Sequence, residues 1–303
     1  MRVAVADLPS PVLAEPRVIA SGSNGAWHDF FTVLRGAGIP EPPGTQDLPQ
    51  ALSLLSALPA ASRHRIERAL DEHDGAIAAP RLLKPLAPDA KILLTEGSLA
   101  LSRSNDQRPA KMVVGFSKFA TALADPGRDI RLPEPDRRYD IEAALAAVIG
   151  RPANRLGAAA AARSVVGFTL MAEVTHRDMF ETEARTNNSL FAKNCPELSP
   201  LGPSIWIAGA GELDPASEVT LTVNGAVRQR FAVSDFAHNV TDAVKAWSRV
   251  VLAPGDMVAL GAAICRPRPG NEVDSPIAIA PNDRVEVACP AIGVLSATIL
   301  GSG

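Results

Sequence analysis

The chain has 303 residues, of which 47% are hydrophobic and 21% are charged. This composition is typical of a globular protein and excludes a collagen-like or largely disordered chain. Thirty basic side chains stand against 33 acidic ones, and aromatic residues make up only 4%, so a nucleic-acid partner is not expected because neither a basic surplus nor a base-stacking surface is available.

The first 85 residues alternate short strands with helical patterns. Strands are predicted over 3–6 and 18–20, and helices over 27–34, 50–58 and 62–70, with prolines between them. This predicts a small α/β domain over residues 1–85. The start of the chain lacks the basic residues and apolar segment of a signal peptide, and no apolar run reaches the length of a membrane span. A cytoplasmic protein without a membrane partner is therefore predicted.

Residues 86–303 are predicted to form a second, β-rich domain. Apolar and β-branched runs predict strands over 91–94, 140–149, 165–174 and 257–260. Asn224-Gly225 lies between apolar runs at 221–223 and 227–231, which predicts a two-residue hairpin because both positions tolerate positive φ. A helical turn is expected at 158–162, and a helix at 239–251 that Asn239 or Thr241 can cap.

Two carboxylates are placed for cation binding. Asp140 and Glu142 are spaced i and i+2, so both side chains leave a strand on the same face. Glu173 ends an apolar run and is a candidate third carboxylate, and oxygen ligands of this kind suit a hard cation. The alternative is that Asp140 faces solvent at a strand end and that Glu142 pairs with an arginine such as Arg138. The spacing alone leaves both interpretations open.

A group of ionisable residues follows the strand that ends near Glu173. Arg177 and Asp178 belong to this loop, and binding groups concentrate where strands open onto loops. The alternative is an Arg177–carboxylate pair that only caps the strand. Lys193 precedes a proline-rich turn, and it is interpreted either as a cation that neutralises a substrate carboxylate or enolate, or as a surface lysine.

Histidines and cysteines add few candidates. His176 is the histidine next to the candidate site. The other histidines are expected to be solvated (His28, His64, His73) or structural (His238). The three cysteines, Cys195, Cys265 and Cys289, are far apart and form no CxxC pair, which predicts reduced thiols.

An ordered set of motifs resembles the fumarylacetoacetate hydrolase superfamily over residues 82–300. The motifs are PGRDIRLP at 126–133, YDIEAALAAVIG at 139–150, VVGFTLMAEVTHRD at 165–178, AKN to SPLGPSIW at 192–206, VNGAVRQ at 223–229 and LAPGDMVALG at 252–261. The resemblance implies an α+β protein, in which a mainly-β mixed β-roll at 86–303 follows the variable N-terminal domain, and usually a homodimer. It also implies Mg²⁺, Mn²⁺ or Ca²⁺, which hold an oxo acid or 1,3-dicarbonyl substrate as its enolate during C–C hydrolysis, decarboxylation, dehydration or tautomerisation.

The family's metal ligands are a Glu-x-Glu pair and a later Asp. They fall on Glu142, Ala144 and Glu173, so the resemblance implies a Mg²⁺ or Mn²⁺ site made of Glu142 and Glu173 that has lost one ligand. The loss predicts weakened metal binding.

Other family positions complete the predicted site. Lys193, Arg177 and Asp178 match family residues and, with His176, are the predicted catalytic residues. Lys118 lies in a Phe-x-Lys element, Ser102 stands where relatives carry a general-base histidine, and Leu260 replaces a threonine. These last three are the predicted substrate-binding residues.

Three hypotheses follow from this pattern. The first is a metal-assisted C–C bond hydrolase or lyase acting on an oxo acid or 1,3-dicarbonyl compound. The second is a metal-free lyase, isomerase or cyclase of a secondary pathway, which the substitutions at 102, 144 and 260 favour because water attack needs a base that serine cannot supply. The third is a non-catalytic relative.

Overall fold

The computed structural model describes residues 1–8, 16–44, 46–96, 113–186, 188–208, 213–236, 238–261, 272–273 and 276–301. Ser102 and Cys265 lie outside these residues. None of the helices in the described ranges is long and apolar enough to cross a membrane.

Strands dominate the secondary structure. In chain order they are β1 Arg2–Asp7, β2 Arg17–Ser21, β3 Trp27–Asp29, β4 Arg81–Leu83, β5 Ile92–Glu96, β6 Val114–Lys118, β7 Leu123–Ala124, β8 Ile130–Arg131, β9 Tyr139–Ile149, β10 Val165–His176, β11 Ser199–Ile207, β12 Glu218–Val223, β13 Ala226–Ala232, β14 Met257–Gly261, β15 Glu272–Val273, β16 Ile277–Ile279, β17 Arg284–Cys289 and β18 Gly293–Leu300.

The helices are short. They are α1 Phe30–Gly36, α2 Leu48–Ala57, α3 Ala60–Glu72, α4 Ala158–Ser164, α5 Arg177–Glu183, α6 Leu190–Lys193 and α7 Val240–Trp247. Single 3₁₀ turns occur at Ala120–Ala122, Ala184–Thr186, Val233–Asp235 and Ser248–Val250. The α+β class and its mainly-β character, expected from the resemblance, are confirmed.

Two sheets organise the described residues. The larger contains 12 strands with the path β3-β2-β1-β11-β10-β9-β14-β5-β6, to which β16, β4 and β7 attach. The smaller contains six in the order β15-β13-β12-β17-β18-β8. The N-terminal β1 pairs antiparallel with β11, so main-chain pairing crosses the expected domain boundary at residue 85.

Strands β9 and β10 form the centre of the larger sheet. Their antiparallel register runs from Gly167 opposite Val148 to His176 opposite Tyr139. Both faces of β9 are covered, because alternate residues enter two different cores. Helices α1–α3 contribute to the core that contains Ala144, Ala146 and Val148, and the smaller sheet contributes to the core that contains Leu145 and Ala147. The face of the sheet that carries Ala144, Ala146 and Val148 is called the helix-covered face below.

Several local predictions are confirmed and two are corrected. Asn224 and Gly225 adopt φ of 53° and 79° in the β12–β13 turn, and the Asn239 side chain caps α7 by accepting from the Asp242 amide. The helix expected from residue 27 begins only at Phe30, because residues 27–29 pair with β2 and Asp29 caps the helix. His28, expected to be solvated, is fully buried, and its ring lies 5.1 Å from that of His73.

The described cysteines are free thiols. Cys195 is half-buried and Cys289 is buried, and burial raises the pKa of both. They agree with the expected reduced state.

Candidate active site

The antiparallel register of β9 and β10 places the candidate carboxylates on one face. Glu142 lies opposite Glu173, and the neighbouring pairs are Asp140 with Thr175 and Ala144 with Met171. Because side chains alternate along a strand, all six belong to the helix-covered face, to which Ala144 and Met171 contribute core atoms. The site therefore lies where the apolar part of this face gives way to polar residues.

Glu173 is held between two lysines. Its Oε1 atom accepts from Lys118 Nζ at 3.0 Å, and its Oε2 atom accepts from Lys193 Nζ at 2.8 Å. The Glu173 side chain has no exposed surface, and those of Lys118 and Lys193 are only 1% and 9% exposed. These three residues are called the Lys–Glu–Lys cluster below.

Two further contacts fix the cluster. Thr175 Oγ1 accepts from Lys193 Nζ at 2.7 Å and donates to Glu173 Oε2 at 3.1 Å. Lys118 Nζ also donates to the carbonyl oxygen of Lys193, which ties the end of β6 to the end of α6. The charged atoms are thus positioned by three separate elements, β6, β10 and α6.

The buried charges shift one another's pKa values in different directions. Burial alone would raise the pKa of Glu173, but the charges of Lys193 and Lys118 outweigh it and lower the pKa to about 2. Burial lowers the pKa of Lys118, despite the attraction of Glu173. Burial also opposes the charge of Lys193, but Glu173 and Glu142 together raise its pKa. We therefore treat Lys193 and Glu173 as charged and Lys118 as the cation that its surroundings stabilise least.

Aromatic rings surround the ammonium group of Lys193. The Nζ atom lies 5.1 Å from the centre of the Phe116 ring and 5.7 Å from that of Phe180, within the range of cation–π attraction. Apolar neighbours exclude water, and electrostatic interactions are stronger where water is excluded. An anion bound to Lys193 would benefit from this setting.

Arg177 forms a second ion pair at the edge of the cluster. Its Nε atom donates to Asp140 Oδ1 at 2.8 Å and its Nη2 atom donates to Oδ2, so the pair is bidentate. The guanidinium carbon also lies 4.8 Å from the centre of the Phe180 ring. The structure thus contains the Arg177–carboxylate pair that was the alternative interpretation of this loop.

Two predicted catalytic residues, His176 and Asp178, point away from the Lys–Glu–Lys cluster. His176 follows Thr175 on β10 and so lies on the opposite face, where its ring is 4.6 Å from Tyr139. Its Nδ1 atom accepts from the Met179 amide and caps α5, and its Nε2 atom is 3.5 Å from Glu134. The Asp178 carboxylate accepts from the backbone and side chain of Arg138 at the surface, and this contact lowers the pKa of Asp178.

The predicted substrate-binding residues are also separated. Lys118 belongs to the cluster, whereas Leu260 is fully buried in the opposite core and pairs with Leu145 of β9. Gly261, the next residue, is on the helix-covered face, and a Cβ atom there would lie 2.9 Å from Glu142 Oε1. A side chain at 261 would therefore displace Glu142.

Thr175, Phe116 and Phe180 were not identified as site residues from the sequence. Thr175 had a readable signal, since its i+2 spacing from Glu173 puts both side chains on one face. The two phenylalanines carry no local signal, because apolar residues of this size are usually core residues.

The described donor set does not fit a divalent metal ion. Both Glu173 oxygens accept from ammonium groups, and position 144, opposite Met171 and Gly261, has only a methyl group. No three His, Cys, Asp or Glu side chains of the described ranges are grouped to hold a metal ion. A cation at Glu173 would also lie beside two ammonium charges, which repel it.

Comparison with known proteins establishes the family. Residues 94–300 match the model of the fumarylacetoacetate (FAA) hydrolase C-terminal domain, which is more than half of the chain. The chain therefore belongs to the fumarylacetoacetate hydrolase family, as its motifs predict. Several of the proteins that it resembles carry enzyme names, among them a tautomerase, an isomerase and a hydrolase.

Three relatives illustrate the range of the family. Human mitochondrial oxaloacetate tautomerase FAHD2B is 29% identical over 59% of this chain and 56% of its own length. The structure of 2-hydroxyhepta-2,4-diene-1,7-dioate isomerase from Mycobacterium marinum is 25% identical, with a TM-score of 0.65 over 100% of this chain and 99% of that one. Maleylpyruvate hydrolase from Sphingobium sp. SYK-6, solved with manganese(II) and pyruvate, shares the fold at 21% identity, a TM-score of 0.69 and complete coverage of both chains.

Proposed function

We propose that this protein is an enzyme that moves a proton on a small 2-oxo acid or 1,3-dicarbonyl compound through an enolate, as a tautomerase or isomerase does. The observation that carries the proposal is the buried Lys–Glu–Lys cluster, with Lys193 set against two aromatic rings. The names of two relatives, an oxaloacetate tautomerase and an isomerase of an unsaturated hydroxy dioate, support this class of reaction and substrate.

The site has the parts that enolate chemistry needs. Removing a proton beside a carbonyl group places negative charge on the carbonyl oxygen, and a preorganised cation lowers the energy of that state. Lys193 is the best-placed cation, because Glu173 and Thr175 orient its Nζ atom while Phe116 and Phe180 keep its surroundings apolar. Arg177, which is paired with Asp140, is the second cation at the edge of this cluster, where it can orient the substrate carboxylate.

Proton transfer is favoured over C–C hydrolysis by the position of His176. Hydrolysis needs a base within hydrogen-bond reach of an attacking water, and His176 lies on the opposite face of β10 with its Nδ1 atom engaged in capping α5. Ketonisation of an enol needs a proton donor at carbon and an acceptor for the enol O–H proton. The charged Lys193 ammonium group, which Glu173 positions, is the candidate donor, while the enol O–H proton leaves to water and a proton from water restores the ammonium group.

The first experiment is a turnover assay on a panel of oxo acids. The purified protein is expected to accelerate the enol–keto interconversion of oxaloacetate or an acylpyruvate, followed by the loss of enol absorbance. Lys193→Met should lower kcat/KM by about 10²- to 10⁴-fold, the usual range for a lost acid–base or electrostatic group. The control is Lys245→Met, which changes an exposed lysine of α7 and should leave kcat/KM unchanged.

The assay also separates the alternatives. Release of a carboxylic acid fragment or of CO₂ would favour a C–C hydrolase or a decarboxylase instead. A folded protein without turnover on any member of the panel would favour a non-catalytic relative. We also propose that the protein is a homodimer, as the family resemblance implies, and that it is located in the cytoplasm; sedimentation of the purified chain tests the first point.

A further inference from the structure

We propose that the side chains of this site, with an ammonium group on each Glu173 oxygen and only a methyl group at position 144, do not fit a divalent metal ion, so that the site binds and stabilises a substrate anion with its own cations. This inference rests on the proposed function and specifies how the same site is charged. It makes Lys118 a positioning residue, which acts on the substrate through Glu173 and Lys193.

The first argument is the use of the Glu173 oxygens. A magnesium or manganese ion would need at least one of them at about 2.0 to 2.2 Å. Lys118 Nζ already lies 3.0 Å from Oε1, and Lys193 Nζ lies 2.8 Å from Oε2. A metal ion at either oxygen would be in contact with a buried positive charge.

The second argument is the balance of charge around Glu173. On the helix-covered face the carboxylates of Asp140, Glu142 and Glu173 occupy neighbouring register positions on β9 and β10. The cations of Lys118, Lys193 and Arg177 contact Glu173 or Asp140 directly. Among the described residues, these three negative and three positive side chains balance one another, and a divalent ion would add two further positive charges to a largely buried site.

The third argument is that the lysine is fixed in place. Lys118 ends β6, and its Nζ atom donates both to Glu173 and to the carbonyl oxygen of Lys193. An ammonium group held by acceptors from β10 and α6 resembles a bound ion in being immobile. The side chain at position 144, on the same face, is a methyl group and offers no oxygen ligand that would favour a metal ion over this arrangement.

The test measures metal binding directly, by the loss of the free Mn²⁺ signal in electron paramagnetic resonance. The chelator-treated wild-type protein should leave the Mn²⁺ signal unchanged, and its melting temperature should not rise with Mn²⁺ or Mg²⁺. Stoichiometric Mn²⁺ binding that Glu173→Gln abolishes would overturn the proposal. This readout needs no substrate, so a failure of the proposed reaction would not be confused with it.

Two variants show whether Lys118 excludes the metal. Lys118→Met combined with Ala144→Glu removes the cation and restores a carboxylate, and it should tighten Mn²⁺ binding by about tenfold or more. Ala144→Glu alone is the matched control; it restores the carboxylate but keeps the Lys118 ammonium group on Glu173 Oε1, so it should bind Mn²⁺ less tightly than the double variant. Equal Mn²⁺ binding by the single and double variants would contradict the role of Lys118.

A charge-preserving variant guards against misfolding. If the double variant does not fold, Lys118→Arg keeps the positive charge and should stay free of Mn²⁺, whereas Mn²⁺ binding by this variant at Glu173 would overturn the proposal. For a substrate that is turned over, kcat should change less than twofold after chelation and after addition of Mn²⁺. A loss of most of the activity on chelation, restored by Mn²⁺, would also refute the proposal.

Discussion

Glu173 is the residue on which the other charged groups of the site depend. It is completely buried and compensates two ammonium groups at once. Breaking a buried charge pair by removing one partner costs far more than the pair contributes, because the remaining charge is left without compensation. The same carboxylate orients Lys193 toward its aromatic surroundings, so Glu173 contributes both to the stability of the fold and to the proposed function.

The substitution Glu173→Gln should therefore destabilise the protein strongly at neutral pH. An isosteric amide removes the one carboxylate that both lysines contact, and we expect a loss of about 3 to 5 kcal/mol in the free energy of unfolding, measured with urea. The control is Glu181→Gln, which removes an exposed partner of Arg138 and should cost less than about 1 kcal/mol. Equal losses for the two variants would contradict a central role of Glu173.

The destabilisation caused by Glu173→Gln should depend on pH between the unfolded and folded pKa values of Glu173. The lysines lower the pKa of Glu173 from 4.5 to about 2 in the folded state, so its contribution is complete above pH 4.5 and disappears as the pH falls through 2. The pKa of Lys193 is raised in the folded state, so this lysine stays protonated throughout the window and adds no slope. The difference between wild type and Glu173→Gln should narrow steadily below pH 4.5, and a constant difference down to pH 3 would be inconsistent with the lowered pKa.

Helix α5 gives His176, a predicted catalytic residue, a structural role. His176 stands at the boundary between β10 and α5, where its Nδ1 atom accepts the Met179 amide. A helix begins with amide groups that lack acceptors, and a side-chain acceptor at the cap satisfies one of them. The histidine is thus accounted for by the start of the helix, on the face away from the Lys–Glu–Lys cluster.

Replacing His176 distinguishes a cap from a catalytic base. Asparagine is among the best capping residues, so His176→Asn should retain turnover and most of the stability. His176→Ala should lose about 1 kcal/mol in unfolding free energy, with turnover again retained. Loss of turnover in a folded His176→Asn protein would show that His176 has a catalytic role.

Elements with strong local patterns could be predicted from the sequence, and elements fixed by distant partners could not. Strands β9 and β10 carry long apolar runs because both of their faces are buried, and Asn224-Gly225 sets its own turn. Residues 27–29 have helical spacing but form a strand, since pairing with β2 supplies hydrogen bonds that local preference cannot indicate. Helices α5 and α6 are too short to show a full apolar period.

The site residues divide in the same way, into features that a local motif indicates and contacts that only the folded sheet brings together. Lys118 and Lys193 are 75 residues apart and meet only because β6 and α6 both reach Glu173. Family resemblance pointed to these lysines as separate motifs, but not to their shared contact. The bidentate bond of Arg177 to Asp140 likewise depends on the register of β9 and β10, which is a property of the folded sheet.

The whole molecule is joined across the boundary expected near residue 85. Strand β1 pairs with β11, β4 pairs with β1, and helices α1–α3 share a core with Ala146 and Val148 of β9. Arg151, just beyond β9, also donates to the side-chain and backbone oxygens of Ser56 at the end of α2. Separating the two parts would expose the edge of β11 and the apolar surface of the central strands, so neither part has a complete core alone.

We therefore expect the N-terminal 85 residues and the rest of the chain to unfold together. Trp27 lies in β3, whereas the other tryptophans, Trp206 and Trp247, lie in the C-terminal part. In a variant with phenylalanine at 206 and 247, the fluorescence of Trp27 reports the N-terminal part and far-ultraviolet circular dichroism reports the sheets. Coincident urea transitions indicate one cooperative unit, because shared strand pairing and a shared core leave no partially folded state of low energy. A Trp27 transition at lower urea than the circular dichroism transition would show that the N-terminal part unfolds independently, despite its place in the larger sheet.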